Sequence, residues 1–414
     1  MKLLKLISIF AISSVLSGCN KEEIDISMIV PKGDVQIGVY YFPLYSGPPE
    51  LSEWSVLRGA KQLLPNHYLP VPLWGYTDES DPKVMAQKIE AASENGIDAF
   101  IFDWYFYDPG SDQILKTPDK WYTDQMYIAH ALHNGFLKAP NRNKLKFAVM
   151  WTNHDLGNVT GKVKESTYYG MVDYIVQNYF NHPSYWKING CPYFSVYDFA
   201  EFYKSFGNDP QRCGDAIDYF RQKTKEAGFP DLHFASCIHM IPETVLWENI
   251  STPEAIATKE IKLNSLTTYS WINHAGFITK PYAHYTTWAD SYFNALENGA
   301  TGYENGGAGN LNYGQKNRPF PVPFHYNVTM GWDNTPRTGL AQMNSIVKGN
   351  TPDVFKKYLI KAKRLSLEKN SEKDRVVTIE AWNEWCEGSR IEPCTRYGMG
   401  YLQAIRDVFG DNSY

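Results

Sequence analysis

The sequence predicts an α/β fold: a single (β/α)8 TIM barrel whose active site lies at the C-terminal ends of its strands. Two observations predict it. Eight near-continuous apolar, aromatic or β-branched runs recur along the chain, separated by polar loops and helical patterns, as expected of parallel strands buried on both faces and joined by crossover helices. Polar and aromatic residues gather where those runs end, at Asp103-Trp104, Trp151 to His154, Trp271, Trp332-Asp333 and Asn383-Glu384. That rim is where barrel proteins build their sites. An open doubly wound sheet is the competing fold, but no G-x-G-x-x-G follows the first run.

The elements follow in order. The first run is VQIGVYYFPLY (35–45). A helix is expected at about 82–95, with Met85, Ile89 and Ala92 on one face and Gly96 as its stop, leading to GIDAFIFDWYFYD (96–108). KLKFAVMWTNHD (144–155) is the third run, and a helical segment at about 164–180 leads to CPYFSVYD (191–198). Another helix, at about 210–227, precedes DLHFASCIHM (231–240). SLTTYSWIN (265–273), FPVPFHYNVTMGWDNTPR (320–337) and RVVTIEAWNEW (375–385) complete the set, the last after a charged helix at about 351–369. The loop GYENGGAGNLNYG (302–314) is rich in glycine but lacks the Gly-Lys-Ser/Thr ending of a phosphate loop, and is expected at the rim. One domain is expected over 34–414, with no internal repeat.

Composition narrows the function. A net charge of −5 without a basic cluster argues against nucleic acid as a partner. Aromatics form 15% of the chain, including 29 Tyr and 12 Trp. Many must fill the core, yet flat apolar faces with polar edges also suit a sugar-binding cleft. No C-x-x-C pair or His spacing supports a zinc site, and no metal or cofactor is expected. Cys386 and Cys394 flank a carboxylate cluster and could bridge in an oxidising compartment or stay free.

The chain opens MKLLKLISIFAISSVLSGCNKEE. A charged start, an apolar run from Leu6 to Leu16 that falls short of the ~20 residues of a membrane span, and small residues before Cys19 mark an export signal over 1–18. Leu16-Ser17-Gly18-Cys19 resembles a bacterial lipobox, which implies a lipid on the Cys19 thiol and membrane attachment through it. Asn20-Lys21-Glu22-Glu23 resembles the surface-export tag of Bacteroidetes lipoproteins, so an outward-facing outer-membrane lipoprotein is expected, with the periplasm or ordinary secretion as alternatives. A tether then runs over 19–33.

The stretch EAWNEWCEGSRIEPCTRYGMGYL (380–402) holds the candidate chemistry. Glu384 and Glu387 lie three residues apart where the eighth strand should emerge, and Gly388 lets the chain turn sharply. Two carboxyls brought to one centre suit glycosidic cleavage, which needs one protonated group and one ionised; their repulsion helps separate the two pKa values. Trp382 and Trp385 would lower the local dielectric and could stack on sugar. Structural roles are the alternative: Glu380 pointing away or paired with a base, and Glu392 anchoring a loop near Arg390 or Arg396.

The run WNEWCEG…EP…RYGMGYL is similar to the terminal motif of WbsX-type proteins, which are related to glycoside hydrolase family 99. GVYYFPLY, HYLPVPLWGYTD (67–78), GIDAFIFDWYFYD and GWDNTPR (331–337) also match, in family order from about residue 36 to 402. The resemblance implies a (β/α)8 barrel and a retaining, metal-independent glycosidase acting on an oligo- or polysaccharide. It assigns Glu384 as base on the sugar's own 2-hydroxyl, giving a 1,2-anhydro sugar, and Glu387 as acid to the departing oxygen. An α-linked manno- or rhamno-configured sugar is implied, since its axial 2-hydroxyl is already placed for attack. Cys386 departs from the family, which often carries His there. WbsX-type proteins have also been labelled glycosyltransferases, and a transferase or a non-catalytic glycan binder are the competing functions. Against the transferase, an exported chain would lack nucleotide-sugar donors, and no diphosphate loop or D-x-D motif stands out.

The supporting residues follow from strand ends. Of Tyr40 and Tyr41, one phenol should face the pocket because strand neighbours alternate faces. Asp103 is a sugar-hydroxyl ligand or the partner of a barrel arginine. Trp104 and Trp151 are expected as stacking platforms, and Asn153 and His154 as sugar ligands or loop caps. Trp332, Asp333 and Arg337 could form a wall with a fixed ion pair, and Asn383 and Trp385 complete the expected substrate contacts. His239 and His325 are weaker candidates, expected as satisfied core or rim residues.

Overall fold

A computed structural model of the 414-residue chain describes residues 35–45, 53–111, 125–238, 260–273, 281–298, 320, 322–340 and 345–410. The export signal, Cys19, the tether, His239 and the loop 302–314 lie outside the described residues.

Eight parallel strands close into a barrel: β1 (Gln36–Tyr41), β2 (Ala99–Phe106), β3 (Lys146–Trp151), β4 (Cys191–Val196), β5 (His233–Cys237), β6 (Ser265–Thr267), β7 (Phe324–Thr329) and β8 (Val376–Glu380). Each pairs with its sequence neighbours, and β1 closes the ring by pairing with both β8 (Gln36 opposite Val376) and β2 (Gly38 opposite Ala99). Each strand falls inside a run expected from the sequence.

Three of the crossover helices start where a short acceptor precedes a proline. Asp81 accepts from the Lys83 N–H at 2.8 Å ahead of helix Pro82–Glu94, and Asp209 from Gln211 N–H at 2.9 Å ahead of Pro210–Glu226. Thr351 does the same for Pro352–Lys369. Proline loses nothing at the first helical position, where its missing N–H would be unpaired anyway. Replacing such a cap by alanine typically costs ~1 kcal/mol.

Strand alternation decides which side chains see the barrel interior. On β2, Ile101, Asp103 and Tyr105 point inward, while Phe100, Phe102, Trp104 and Phe106 pack on the outer layer: Phe100 and Phe102 against Phe136, Trp104 against Phe106 and Tyr179. Trp104 is therefore no stacking platform. It is 2% exposed and its Nε1 donates to the Tyr179 hydroxyl at 3.0 Å. Trp151, fully buried against Tyr168 and Phe202, donates to the Phe106 carbonyl at 2.9 Å. Both expected platforms sit on the outer face of their strand because the neighbouring residue takes the inner one.

The same parity splits the tyrosine pair. Tyr40 turns inward, its ring 4.9 Å from that of Tyr269. Tyr41 turns outward to donate to Glu79, with the Lys88 ammonium 3.1 Å from its oxygen, so it touches no cleft. His325 is fully buried in the barrel, stacked on His233 and Tyr193, a core position as expected, but neither ring nitrogen has a hydrogen-bond partner, so it is not the satisfied histidine expected. Cys386 and Cys394 are both buried free thiols and form no bridge; Cys386 donates instead to the Glu53 carbonyl at 3.4 Å.

Candidate active site

At the C-terminal end of β8 the chain makes one tight turn, Trp385–Glu387, closed by the Glu387 and Ser389 N–H groups donating to the Glu384 carbonyl at 3.2 and 3.0 Å. Gly388 ends the turn at φ +69°, and a Cβ there would lie 2.8 Å from both the backbone nitrogen and the Cβ of Asp333. Only glycine fits both constraints. The turn delivers Glu384 and Glu387 to one cleft of about 420 Å³, whose wall also includes Asp103, Tyr269, Trp332 and Arg337.

Arg337 organises the carboxyls. Its Nη1 bonds Glu387, its Nη2 lies 3.3 Å from Glu384 Oε2, and its Nε donates to Glu53 Oε2 at 2.9 Å. The Arg337–Asp333 ion pair expected from GWDNTPR is not formed. Asp333 bonds His67 Nε2 at 2.8 Å and accepts from the Thr335 hydroxyl at 2.6 Å, leaving the arginine to the glutamates.

Deeper in, the Tyr269 hydroxyl donates to Asp103 Oδ2 at 2.8 Å and lies 3.3 Å from Glu384 Oε1. One phenol carries one proton, so satisfying both contacts requires a proton on a carboxyl. The electrostatics agree. Burial, reinforced by the charge on Glu387 and only partly opposed by Arg337, holds Glu384 well above the usual carboxylate range. Burial also raises Glu387, partly offset by the charge and the hydrogen bond of Arg337. Asp103 is raised by its burial, against its Tyr269 hydrogen bond, and Glu380 by burial and the nearby Glu387 charge. Glu380 faces the barrel interior, accepts from the Ser389 hydroxyl at 2.9 Å and has no basic partner among the described residues. Four carboxyls and one guanidinium line the cleft, a crowding that favours the protonated forms of Glu384 and Glu387 relative to isolated carboxylates.

The other expected contacts divide. His154 lines the cleft between Tyr105 and Tyr197, kept neutral by burial, which lowers its pKa. Trp332 also lines it, 9% exposed. Asn153 is fully buried and ties down the next loop, exchanging bonds with the backbone of Asp198 at 2.7 and 2.9 Å. Asn383 is likewise a fastener, joining β8 to β1 through the Phe42 N–H and carbonyl at 2.9 and 2.7 Å. Trp382 and Trp385 are fully buried beneath the turn; Trp385 donates to Glu392 Oε2 at 2.8 Å and packs on Trp54. Glu392 does anchor a loop, but through Lys88 at 3.0 Å rather than through an arginine.

Tyr269, Glu53 and His67 were not singled out as site residues in the sequence. Tyr269 had a signal: it keeps the inward parity of Thr267 on β6. Glu53, the first residue of the short helix Glu53–Gly59, had none.

The last strand of the barrel thus presents paired carboxyls beside an arginine at the C-terminal mouth. The chain matches the family described as Glycosyltransferase WbsX over residues 49–405 and belongs to it. It is 22% identical over 403 residues to the uncharacterized protein WxcX of Xanthomonas campestris pv. campestris strain B100, covering 89% of this chain and 49% of that protein. The chain thus spans about half the length of the curated relatives it matches. Among solved structures, a glycoside hydrolase-like protein superposes with a TM-score of 0.58 at 15% identity, over 94% of this chain and 97% of the other. The GH99 endo-alpha-mannosidase from Bacteroides thetaiotaomicron, in complex with bis-tris-propane, gives 0.51 at 16% identity, over 90% and 95%. These likenesses establish the barrel.

Proposed function

We propose that the chain is a retaining glycoside hydrolase that cleaves an α-linked manno- or rhamno-configured sugar within a polysaccharide, with Glu384 and Glu387 as the reacting carboxyls. The observation that carries this reading is the pair itself: Glu384 at 4% exposure and Glu387 with its side chain 21% exposed share one guanidinium at the C-terminal mouth of a barrel. The endo-alpha-mannosidase likeness and the N-E-W-x-E motif favour manno-configured substrates. In this reading the protein is a lipid-anchored outer-membrane enzyme facing its glycan, a location that the lipobox-like stretch ending at Cys19 supports.

The route runs in two balanced steps. Glu384 takes the proton of the 2-hydroxyl as O2 bonds C1, while the C1 to leaving-oxygen bond breaks and Glu387 protonates that oxygen. Water then attacks C1 and gives its proton to Glu387; the C1–O2 bond opens and O2 recovers its proton from Glu384. In this reading the free cleft carries its proton on Glu384, the carboxyl that is raised further, while Arg337 offsets part of the rise at Glu387. A leaving-group sugar that draws Arg337 off Glu387, leaving it on Glu53 to which its Nε already donates, lets the proton cross to Glu387 and leaves Glu384 ionised as the base. The arginine thereby couples substrate entry to the correct protonation state.

The test compares Glu387→Gln and Glu384→Gln on a natural mannan and on an aryl α-mannoside with an acidic leaving group. On mannan both should lose on the order of 10²–10⁴ in rate. On the aryl substrate Glu387→Gln should keep its first step, since a good leaving group needs no acid, while Glu384→Gln should not. The opposite pattern reverses the two roles, and mannan cleavage surviving both substitutions removes the assignment. The family's description favours a transferase instead; consumption of a nucleotide-sugar donor by the full chain, with no release of free sugar from glycans, would establish that activity.

A further inference from the structure

A second depression adjoins the first on the far side of Trp332 and Gly388. It encloses about 320 Å³, and its wall includes Tyr68, Trp332, Lys348, Asn350, Arg390 and Arg396. Three buried polar atoms of these residues have no hydrogen-bond partner: the Tyr68 hydroxyl, the Trp332 Nε1 and the Arg390 Nε. All three are donors, and buried donors are ordinarily satisfied.

Arg390 is the most telling of them. It is 5% exposed, its guanidinium lies 5.4 Å from the Trp385 ring, and its single hydrogen bond runs from Nη1 to the Gly388 carbonyl at 3.0 Å. Among the described residues it forms no ion pair. Arg221, at 9% exposure, shows what a structural arginine looks like in the same chain. It bonds Asp231, two carbonyls and the Asn264 side chain at 2.7–3.2 Å. A buried guanidinium without such company is costly unless an anion completes it. Around Arg390 the charge is one-sided: Lys348 and Arg396 share the wall, and its sole carboxylate, Asp333, is already held by His67 and Thr335. Arg396 lies over the Tyr68 ring at 4.6 Å, which sets a flat apolar face beside the charge.

We infer that this depression is an anion-accepting subsite for the glycan, taking a uronate carboxylate or a sulfate ester on a sugar residue near the one cleaved. Arg390 and Arg396 would grip the two or three oxygens of the anion, as guanidinium forks do, with Tyr68 and Trp332 donating at its edge. Trp332 lines both depressions, so one saccharide chain can cross it with a neutral sugar at Glu384 and an acidic one at Arg390. The natural substrate is then an acidic polysaccharide. The subsite presupposes the hydrolase reading for its glycan but not for its anion.

The test reads binding, not turnover. The full chain, labelled with ¹⁵N at its indoles, is titrated with sodium glucuronate, sodium sulfate and neutral glucose at constant ionic strength held with sodium chloride. The Trp332 indole signal is assigned by its loss in Trp332→Phe. Saturable movement of that signal by glucuronate or sulfate, but not by glucose, is expected, and whichever saturates at the lower concentration identifies the carboxylate or the sulfate. Arg390→Gln should weaken binding about tenfold or more. Because Arg390 is buried, the exposed Arg396→Ala and half-buried Lys348→Ala carry the same test if that variant fails to fold, each weakening binding severalfold. Equal responses to glucose and the anions, or anion responses unchanged in Arg396→Ala and Lys348→Ala, overturn the subsite. An anion response with no cleavage of any glycan keeps the subsite and removes the hydrolase, whereas Glu387-dependent cleavage of neutral mannan with no anion response does the reverse.

Discussion

Two clusters in this barrel are built to the same formula, one cation between glutamates, and behave in opposite ways. Behind the wall, Lys88 sits 3.1 Å from Glu79 and 3.0 Å from Glu392, with all three side chains 0–4% exposed. Glu79 also accepts from Tyr41, from the Tyr45 N–H at 2.8 Å and from Asn383 at 3.1 Å. At the mouth, Arg337 touches Glu53, Glu384 and Glu387 in a cleft open to solvent. Burial pulls the Lys88 pKa down, but Glu392 and Glu79 prevail and hold it above its ordinary value, so the ammonium stays charged. The first cluster has a donor for each carboxylate it seals in. The second sets three glutamates on one guanidinium in a cleft that reaches solvent, and burial raises both Glu384 and Glu387 there. The sealed cluster fastens the wall to the barrel; the open one leaves its carboxyls within reach of a ligand.

Breaking the sealed cluster should have the largest effect on stability. Lys88→Met strands two buried carboxylates and is expected to cost about 3–5 kcal/mol in denaturant unfolding, with turnover per folded molecule preserved. A loss below ~1 kcal/mol would mean that this cluster, too, is loosely held. Arg337→Met is the counterpart. Stability should change little, while kcat/KM on the glycan falls on the order of 10²-fold, as when one preorganised charge donor is lost. Since Arg337 lowers both Glu384 and Glu387, its removal raises both, and the acid limb of the pH profile should move to higher pH.

Glu380→Gln sharpens the contrast from the barrel interior. Burial raises the folded-state pKa of Glu380, so its contribution to stability is fully present below the unfolded carboxylate pKa and is lost as pH rises towards the folded value. The variant should therefore gain in Tm relative to the parent as pH rises through that window, and a gain confined to acid would contradict the raised pKa. Trp104→Phe is the mildest change: about 1–2 kcal/mol from a lost hydrogen bond and smaller burial, with KM unchanged, because the ring faces the outer helices.

How much of this could be read from the sequence depended on whether the pattern was periodic or three-dimensional. The eight strands and the long helices at Pro82–Glu94, Pro210–Glu226 and Pro352–Lys369 follow from apolar runs and Asp-Pro or Thr-Pro starts, which are local signals. Helices Tyr285–Asn298 and Gly400–Phe409 also form but were not singled out. Parity was legible but incompletely applied. It separates Tyr40 from Tyr41, condemns Trp104 once Asp103 is placed inward, and marks Tyr269 as inward with Thr267; it does not separate Tyr269 from Trp271, which shares that parity but lies past the strand end, buried against Tyr285 and Trp288. Partner choice was not legible. Nothing local tells Asp333 to take a histidine 266 positions away, or Arg337 to reach a glutamate 284 positions back, in place of each other.

The surplus of acid at the cleft has a practical side. To a small hydroxylated amine, a pocket with four carboxyls and a single guanidinium is a ready counter-ion, so Tris-type buffers are expected to compete there with the proposed sugar. Phosphate is no neutral substitute, because it would find Arg390 next door. Assays of this protein belong in a zwitterionic buffer at low concentration, or the choice of salt will be mistaken for a property of the protein.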